Sequence, residues 1–290
     1  MDYVHFFTNS TIGLKLITFI LEPNSKLLCS QMLNAIDTPF KNILVKDIGN
    51  GNKLYLIDFE VLSPEMIDSI DAQLVKICEG NSGRTVQLVK DRIKTYLTSK
   101  KGSDLEIGSI AEFMLHHHLN LLGFVPKFMY FNLEENSIKK GFDGYYLLGS
   151  EQWILESKSG RISTKNISHS NKIIESYNDL KSKLNGGPVN NPWQNAVSHA
   201  GHYYVGVIPD LVKQLQDLAT RYQNKIFEKI KDYNIIPGST IFLDGNWIKP
   251  DNGVIESEIK DLINKLEFKK IKVICLTKKS IDLFWDYLNS

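Results

Sequence analysis

Three cysteines, Cys29, Cys78 and Cys275, are all that the 290 residues contain, and no two form a CxxC pair. That scarcity excludes a disulfide framework and a thiolate zinc cluster, and the apolar setting of each reads as a buried thiol in a reducing compartment. Excess charge is also missing. Lys and Arg number 34 against 33 Asp and Glu, for a net charge of +1, so no global basic field draws the chain to nucleic acid. A nucleic-acid site would have to be a local patch, or be completed by a partner. No apolar run approaches the roughly 20 residues of a membrane span. Met1-Asp2 opens acidic and polar residues interrupt the early apolar stretch, so no secretory signal is expected and the location reads as cytoplasmic, with no membrane partner. Internal repeats and low-complexity tracts are lacking as well.

What is present is ordinary for a globular chain, with 42% hydrophobic and 23% charged residues, enough for one large domain or two small ones. The boundary is expected near residue 80, giving an N-terminal α+β section over 1–80 as scaffold or docking layer and a second domain over 81–290. Within the first section, residues 3–21 read as strand and Ser25 to Ala35 as helix. Ile43 to Val45 and Leu54 to Phe59 read as strands around the Gly49–Gly51 turn. Ser63-Pro64 places a cap and an N1 proline before a helix running to about Cys78.

The informative stretch is Gly141 to Gly160, GFDGYYLLGSEQWILESKSG. Tyr145 to Leu148 is aromatic and aliphatic, Gly149-Ser150 is a turn signal, Gln152 to Leu155 resumes a strand-like run, and the second strand is expected to end in Glu156-Ser157-Lys158. Alternation sends Glu156 and Lys158 to one face and Ser157 to the other. A carboxylate and an ammonium on an apolar strand are costly to bury without compensation. One arrangement compensates them: Asp143 and Glu156 as hard oxygen ligands of Mg2+ or Mn2+, with Lys158 beside an attacking water or scissile phosphate. The plainer reading is a surface ion pair on an ordinary strand.

The pattern Asp143-x12-Glu156-x-Lys158 on a hairpin resembles the signature of the PD-(D/E)XK nuclease superfamily, with Phe142 where the proline usually stands. The resemblance covers about Asp104 to Leu184. It implies an α/β restriction-endonuclease-like core, a mixed central sheet flanked by helices in α-β-β-β-α-β order. The N-terminal α+β section and helical C-terminal additions would surround that core. It further implies a Mg2+-dependent nuclease acting on DNA, with the Ser157 carbonyl as an additional metal ligand. A glutamate from the first core helix often approaches the metal in this superfamily, and Glu112 matches it by position; the alternative is an exposed helix carboxylate. More narrowly, the long leader, the GFDG turn and the Trp153 to Lys158 strand resemble the nuclease subunits of the Hachiman anti-phage defence system. That family implies a superfamily 2 helicase partner that holds the nuclease silent until foreign or damaged DNA is sensed.

Around the hairpin, Arg84 to Thr98 and Asp104 to Leu122 carry helical apolar periodicity, the latter stopping at Gly123. Lys90, Arg92, Lys94, Lys100 and Lys101 form the most basic stretch, which reads either as a solvated helix face or as a nucleic-acid contact. Lys165, His169 and Lys172 could likewise reach a phosphate backbone or simply be solvated. His116-His117-His118 cannot converge on one ion, because consecutive helical residues point about 100° apart. His199-x-x-His202 lies on no clear helix and favours local hydrogen bonding over zinc. Lys127 to Leu133 reads as a strand, Arg161 to Ser170 as a polar stretch before a helix to about Leu184, and Pro209 to Asp232 as one long amphipathic helix. Pro237-Gly238 reads as a break, Thr240 to Leu243 and Ile271 to Leu276 as strands, and Ser280 as the cap of a closing helix. Two other functions stay open: a non-catalytic binding module on the same fold, and a sequence-specific restriction enzyme with 1–100 or 185–290 as its reader.

Overall fold

Alternation along the strands gives the described residues helix layers on both faces of one sheet. The computed structural model describes residues 39–40, 42–131 and 141–290. The strand expected over residues 3–21, the helix expected over Ser25 to Ala35, and Cys29 all lie outside the described residues.

Seven strands form one sheet: β1 (Asn42–Asp47), β2 (Lys53–Phe59), β3 (Val125–Pro126), β4 (Gly144–Leu148), β5 (Glu151–Arg161), β6 (Asn234–Phe242) and β7 (Lys270–Lys278). Their spatial order is β1-β2-β7-β6-β5-β4-β3. The four central strands, β2, β7, β6 and β5, run parallel, and an antiparallel hairpin closes each side. Buried on both faces, β6 is apolar or small at nearly every position, as the centre of a parallel sheet requires. Residues 39–80 and 81–290 belong to the same compact unit, Pro39–Ser290, and β2 and β7 pair across the expected boundary at residue 80.

One layer contains α1 (Pro64–Glu79), α2 (Val86–Thr98), α3 (Asp104–Leu121) and α8 (Asp282–Asn289), and packs on Tyr55, Ile57, Trp153, Leu155, Ile274 and Leu276. The other contains α4 (His169–Leu184), α5 (Pro192–Ala200), α6 (Pro209–Gln223) and α7 (Asn252–Ile263), and packs on Leu54, Leu56, Ile154, Val273 and Cys275. Successive residues of one strand thus feed opposite cores. Cys78 and Cys275 are both buried, as expected. Among the described residues no helix is long and apolar enough to cross a membrane.

Local chemistry sets the helix ends. Ser63 accepts from the Met66 amide at 3.3 Å and Pro64 occupies the first turn of α1. Thr85 and Ser168 cap α2 and α4 in the same way. Ser280 does not cap the last helix, which begins after Ile281 with no side-chain cap. The helix expected over Pro209 to Asp232 stops at Gln223. Lys225 takes a left-handed φ of 59°, and the Ile226 and Lys225 amides close back on Arg221 and Tyr222 in a Schellman end.

Three strand expectations are corrected. β5 does not end at Lys158 but continues to Arg161, because its polar second half pairs with β6 as far as Phe242. Pro237-Gly238 lies within the central strand β6 rather than ending a section. Ile236 and Pro237 have no register partner on β7, where proline has no N–H to give. Gly238 is required for space: a Cβ there would lie 2.4 Å from Leu115 Cδ1, so α3 rests directly on the strand. The strand expected over Lys127 to Leu133 is not formed among the described residues: the short strand is Val125–Pro126. The Lys127 amide adds one more bond to the Tyr145 carbonyl, and the Lys127 ammonium donates to the Val205 and Gly206 carbonyls. The C-terminal part is also more than helical additions, for it supplies two central strands.

Candidate active site

Asp143 sits one residue ahead of β4, where its amide donates to the Leu155 carbonyl at 3.1 Å and extends the hairpin register. Phe142 beside it is fully buried, 5.0 Å from the Trp193 ring, and anchors the turn that carries the acid. One carboxylate oxygen of Asp143 accepts both the Ser157 amide, at 2.7 Å, and the Ser157 hydroxyl, at 3.0 Å. The side chain stays partly exposed while its orientation is fixed.

Glu156 and Lys158 face α4, as alternation requires. Ser176 of α4 donates to the Glu156 carbonyl at 2.7 Å and seats the helix on the strand. One and two helical turns further on, Asp179 and Lys183 complete a crossed network. Lys158 Nζ lies 3.2 Å from Glu156 Oε1 and 2.5 Å from Asp179 Oδ2. Lys183 Nζ lies 2.5 Å from Glu156 Oε2 and 3.5 Å from Asp179 Oδ2. Glu156 is 2% exposed at its side chain, while Lys158 and Asp179 are 31% and 32% exposed, so the network opens to solvent on their side.

Burial, followed by the charge of nearby Asp143, holds the Glu156 carboxyl well above its usual range, against the opposing pull of Lys183 and Lys158. Burial and the Glu112 charge raise Asp143 in the same sense. For Asp179, burial is outweighed by hydrogen bonds with Glu156 and Lys158 and by the lysine charges, which bring it down to about 2. Lys158 and Lys183 likewise overcome burial through their carboxylate neighbours and are held above the ordinary lysine range. The centre therefore concentrates acids whose charges oppose one another, with two ammonium groups as the compensation.

Glu112 approaches from the opposite layer. It is buried on α3, not exposed, and its Oε1 lies 3.1 Å from His116 Nε2, while His116 Nδ1 meets the Tyr146 hydroxyl. Glu112 and Glu156 thus stand on different faces of the sheet, linked through Asp143: the Glu112 charge raises the Asp143 carboxyl, and the Asp143 charge raises that of Glu156. The three histidines diverge as expected. His116 turns to Glu112, His117 Nε2 lies 3.3 Å from Ser69 Oγ, and His118 packs between the Phe40 and Tyr55 rings.

The residues considered for nucleic-acid contact separate into two groups. Lys90 is buried, 3.1 Å from Asp71 and over the Tyr287 ring at 4.3 Å, where it ties α2 to α1 and α8 and cannot reach a phosphate. His169 is buried too, with Nδ1 2.8 Å from Ser239 Oγ and Nε2 3.1 Å from Thr277 Oγ1. Lys94 is exposed and donates to Asn289 Oδ1 at 2.7 Å; Lys165 is exposed; Lys172 pairs with Glu175 at 2.7 Å. His199 lies in the last turn of α5, not off a helix, and its Nδ1 accepts from the Met129 amide at 3.3 Å. His202 caps the short 3-10 turn that follows.

Among the described residues no three His, Cys, Asp or Glu side chains form a ready-made metal group. The donor chemistry nonetheless fits a hard divalent cation. Asp143 and Glu156 are oxygen donors whose charges oppose each other and which now rely on lysine for neutralisation. Asp179 and Lys183 escaped the sequence reading. Their signal was the i,i+4 acid–base pair on the helix after the hairpin, in phase with Ser176, which by itself resembles any surface pair. No family model matches the chain, and no curated protein matches it.

Proposed function

We propose that this chain is a metal-dependent nuclease that hydrolyses DNA phosphodiester bonds with Mg2+ or Mn2+. The observation that carries the reading is the meeting of Asp143, Glu156 and Lys158 at one hairpin, flanked by helices in the order α3-β3-β4-β5-α4-β6. That order and motif are the ones the PD-(D/E)XK resemblance implies.

Asp143 and Glu156 would hold the ion, with the Ser157 carbonyl as the resemblance implies and Glu112 acting on Asp143 from the other face. When bound, Mg2+ or Mn2+ acidifies a water and screens phosphate charge. The chain's own residues do the rest. Ser157 fixes the Asp143 carboxylate with two hydrogen bonds. Lys158, kept as an ammonium by Glu156 and Asp179, orients the attacking water and stabilises negative charge developing on the phosphoryl oxygens. The similarity to Hachiman nuclease subunits extends the proposal to an anti-phage effector governed by a superfamily 2 helicase. A net charge of +1 supports a nuclease that takes its grip on DNA from such a partner.

The test is cleavage of supercoiled plasmid by the purified chain with Mg2+ or Mn2+, beside an EDTA control and Glu156→Ala, with and without a superfamily 2 helicase as candidate partner. Metal-dependent loss of supercoiled DNA that the variant lacks is the expected result. Discrete fragments would instead indicate a sequence-specific restriction enzyme. Full activity in Glu156→Ala would overturn the mechanism.

A further inference from the structure

The pair Asp179–Lys183 has a geometry that a static structural ion pair does not need. Lys183 Nζ bonds Glu156 Oε2 at 2.5 Å, yet a second carboxylate, Asp179 Oδ2, stands 3.5 Å away on the same helix, one turn back. Lys183 is 13% exposed and Asp179 32%, so the second partner lies on the open side of the first. Glu156, buried beneath both, is the acid that the metal-dependent reading assigns to the ion.

Resting on that reading, we infer that Lys183 is an internal counter-ion that occupies Glu156 in the metal-free protein and moves onto Asp179 when a divalent cation takes Glu156. Asp179 is then the landing site, and Lys183 a positioning residue that competes with the cation. A divalent ion on Glu156 strongly repels the ammonium bonded to it at 2.5 Å, that of Lys183. Lys158 instead stands 3.2 Å off and is held at 2.5 Å by Asp179, which Lys183 would then share with it. Without Lys183, Glu156 would be left buried beside Asp143 with only Lys158 to offset it. The exchange keeps the acid compensated in both states, and it makes cation affinity weaker than the same oxygens would give unaided.

Calorimetric titration of the full chain with Mn2+ alone tests this, in wild type, Lys183→Met, Lys183→Arg and Glu156→Gln, with melting curves to confirm folding. The expected order is binding about tenfold tighter in Lys183→Met than in wild type. Lys183→Arg should stay near wild type because it keeps the competing charge, and Glu156→Gln should lose binding. A purely structural role for Lys183 would weaken binding in the methionine variant, since the site would loosen. Equal or weaker binding in Lys183→Met, with binding still lost in Glu156→Gln, overturns the inference and leaves the metal reading standing. Unchanged binding in Glu156→Gln overturns both. Should Lys183→Met fail to fold, Asp179→Asn carries the test. Removing the landing site should weaken Mn2+ binding about threefold or more, and unchanged or tighter binding overturns the inference.

Discussion

Ser157 holds Asp143 twice, through its amide at 2.7 Å and its hydroxyl at 3.0 Å, both to the same carboxylate oxygen. The residue between Glu156 and Lys158 in the motif thus orients the first acid with its side chain, beyond any part its carbonyl plays. Ser157→Ala keeps the amide bond and removes the hydroxyl. Stability should fall by about 1 kcal/mol and cleavage by about tenfold, mainly in kcat, as the carboxylate loses one of its two restraints. Thermal melts and plasmid-nicking rates measure the two effects, and unchanged nicking would remove Ser157 from the mechanism.

Asp143→Asn should separate stability from activity. The native Asp143 carboxyl is held above its usual range by burial and by the Glu112 charge, so ionising it costs the folded state at neutral pH. Asparagine keeps an acceptor for Ser157 and removes the repulsion. The metal-free variant should therefore be more stable than wild type at pH 7 in urea unfolding, while cleavage falls at least about a hundredfold. A less stable variant would show that the acidic cluster is not strained.

Buried neutral histidines set the acid limit. Burial lowers His169 and His117 to about 4, and His118, by burial and by the neighbouring His117, to about 3. Each folded value lies below the unfolded 6.5, so the unfolded chain binds the extra protons between those limits. Stability is full above pH 6.5 and is lost as pH falls towards 4, at most about 3 kcal/mol for His169. Among the described residues, neither ring nitrogen of His118 has a hydrogen-bond partner. His118→Leu should add about 1 kcal/mol at pH 7.5 and flatten the acid loss, read from urea midpoints at pH 4.5, 5.5 and 7.5.

Gly238→Ala would set a methyl 2.4 Å from Leu115 Cδ1, at the seat of the helix that carries Glu112. A loss of about 1–3 kcal/mol is expected from the overpacking. Leu115→Ala alone should cost about 2–5 kcal/mol by leaving a cavity. The double variant should lose less than the sum of the two, because each relieves the other. Simple additivity would mean that the two side chains do not meet.

The hairpin is legible because the strand-like runs Tyr145 to Leu148 and Gln152 to Leu155 flank a Gly149-Ser150 turn, and Ser63-Pro64 marks its helix by cap chemistry. What escaped was decided by distant partners. The polar run Ser157 to Arg161 is strand only because β6 pairs with it, and Pro237-Gly238 is strand only because β5 and α3 enclose it. Lys90 reads from sequence as either a solvated helix face or a phosphate contact, and is neither, because α8, from the far end of the chain, closes over it. Of the site, the residues on one hairpin were legible from spacing. Asp179 and Lys183 were not, since whether a helical acid–base pair faces water or a strand depends on how the helix docks.

The order of the strands along the chain has a consequence for biosynthesis. β5 carries Glu156 and Lys158, but its parallel neighbour β6 comes from Asn234–Phe242, and β2 waits for β7 from Lys270–Lys278. On the ribosome, the hairpin emerges with β5 as an open edge, and two of the four central strands are still to be translated. A nascent or truncated chain that stops before Asn234 therefore has the motif without the sheet that fixes it. Until the last fifth of the chain arrives, β5 stays an exposed edge open to mispairing.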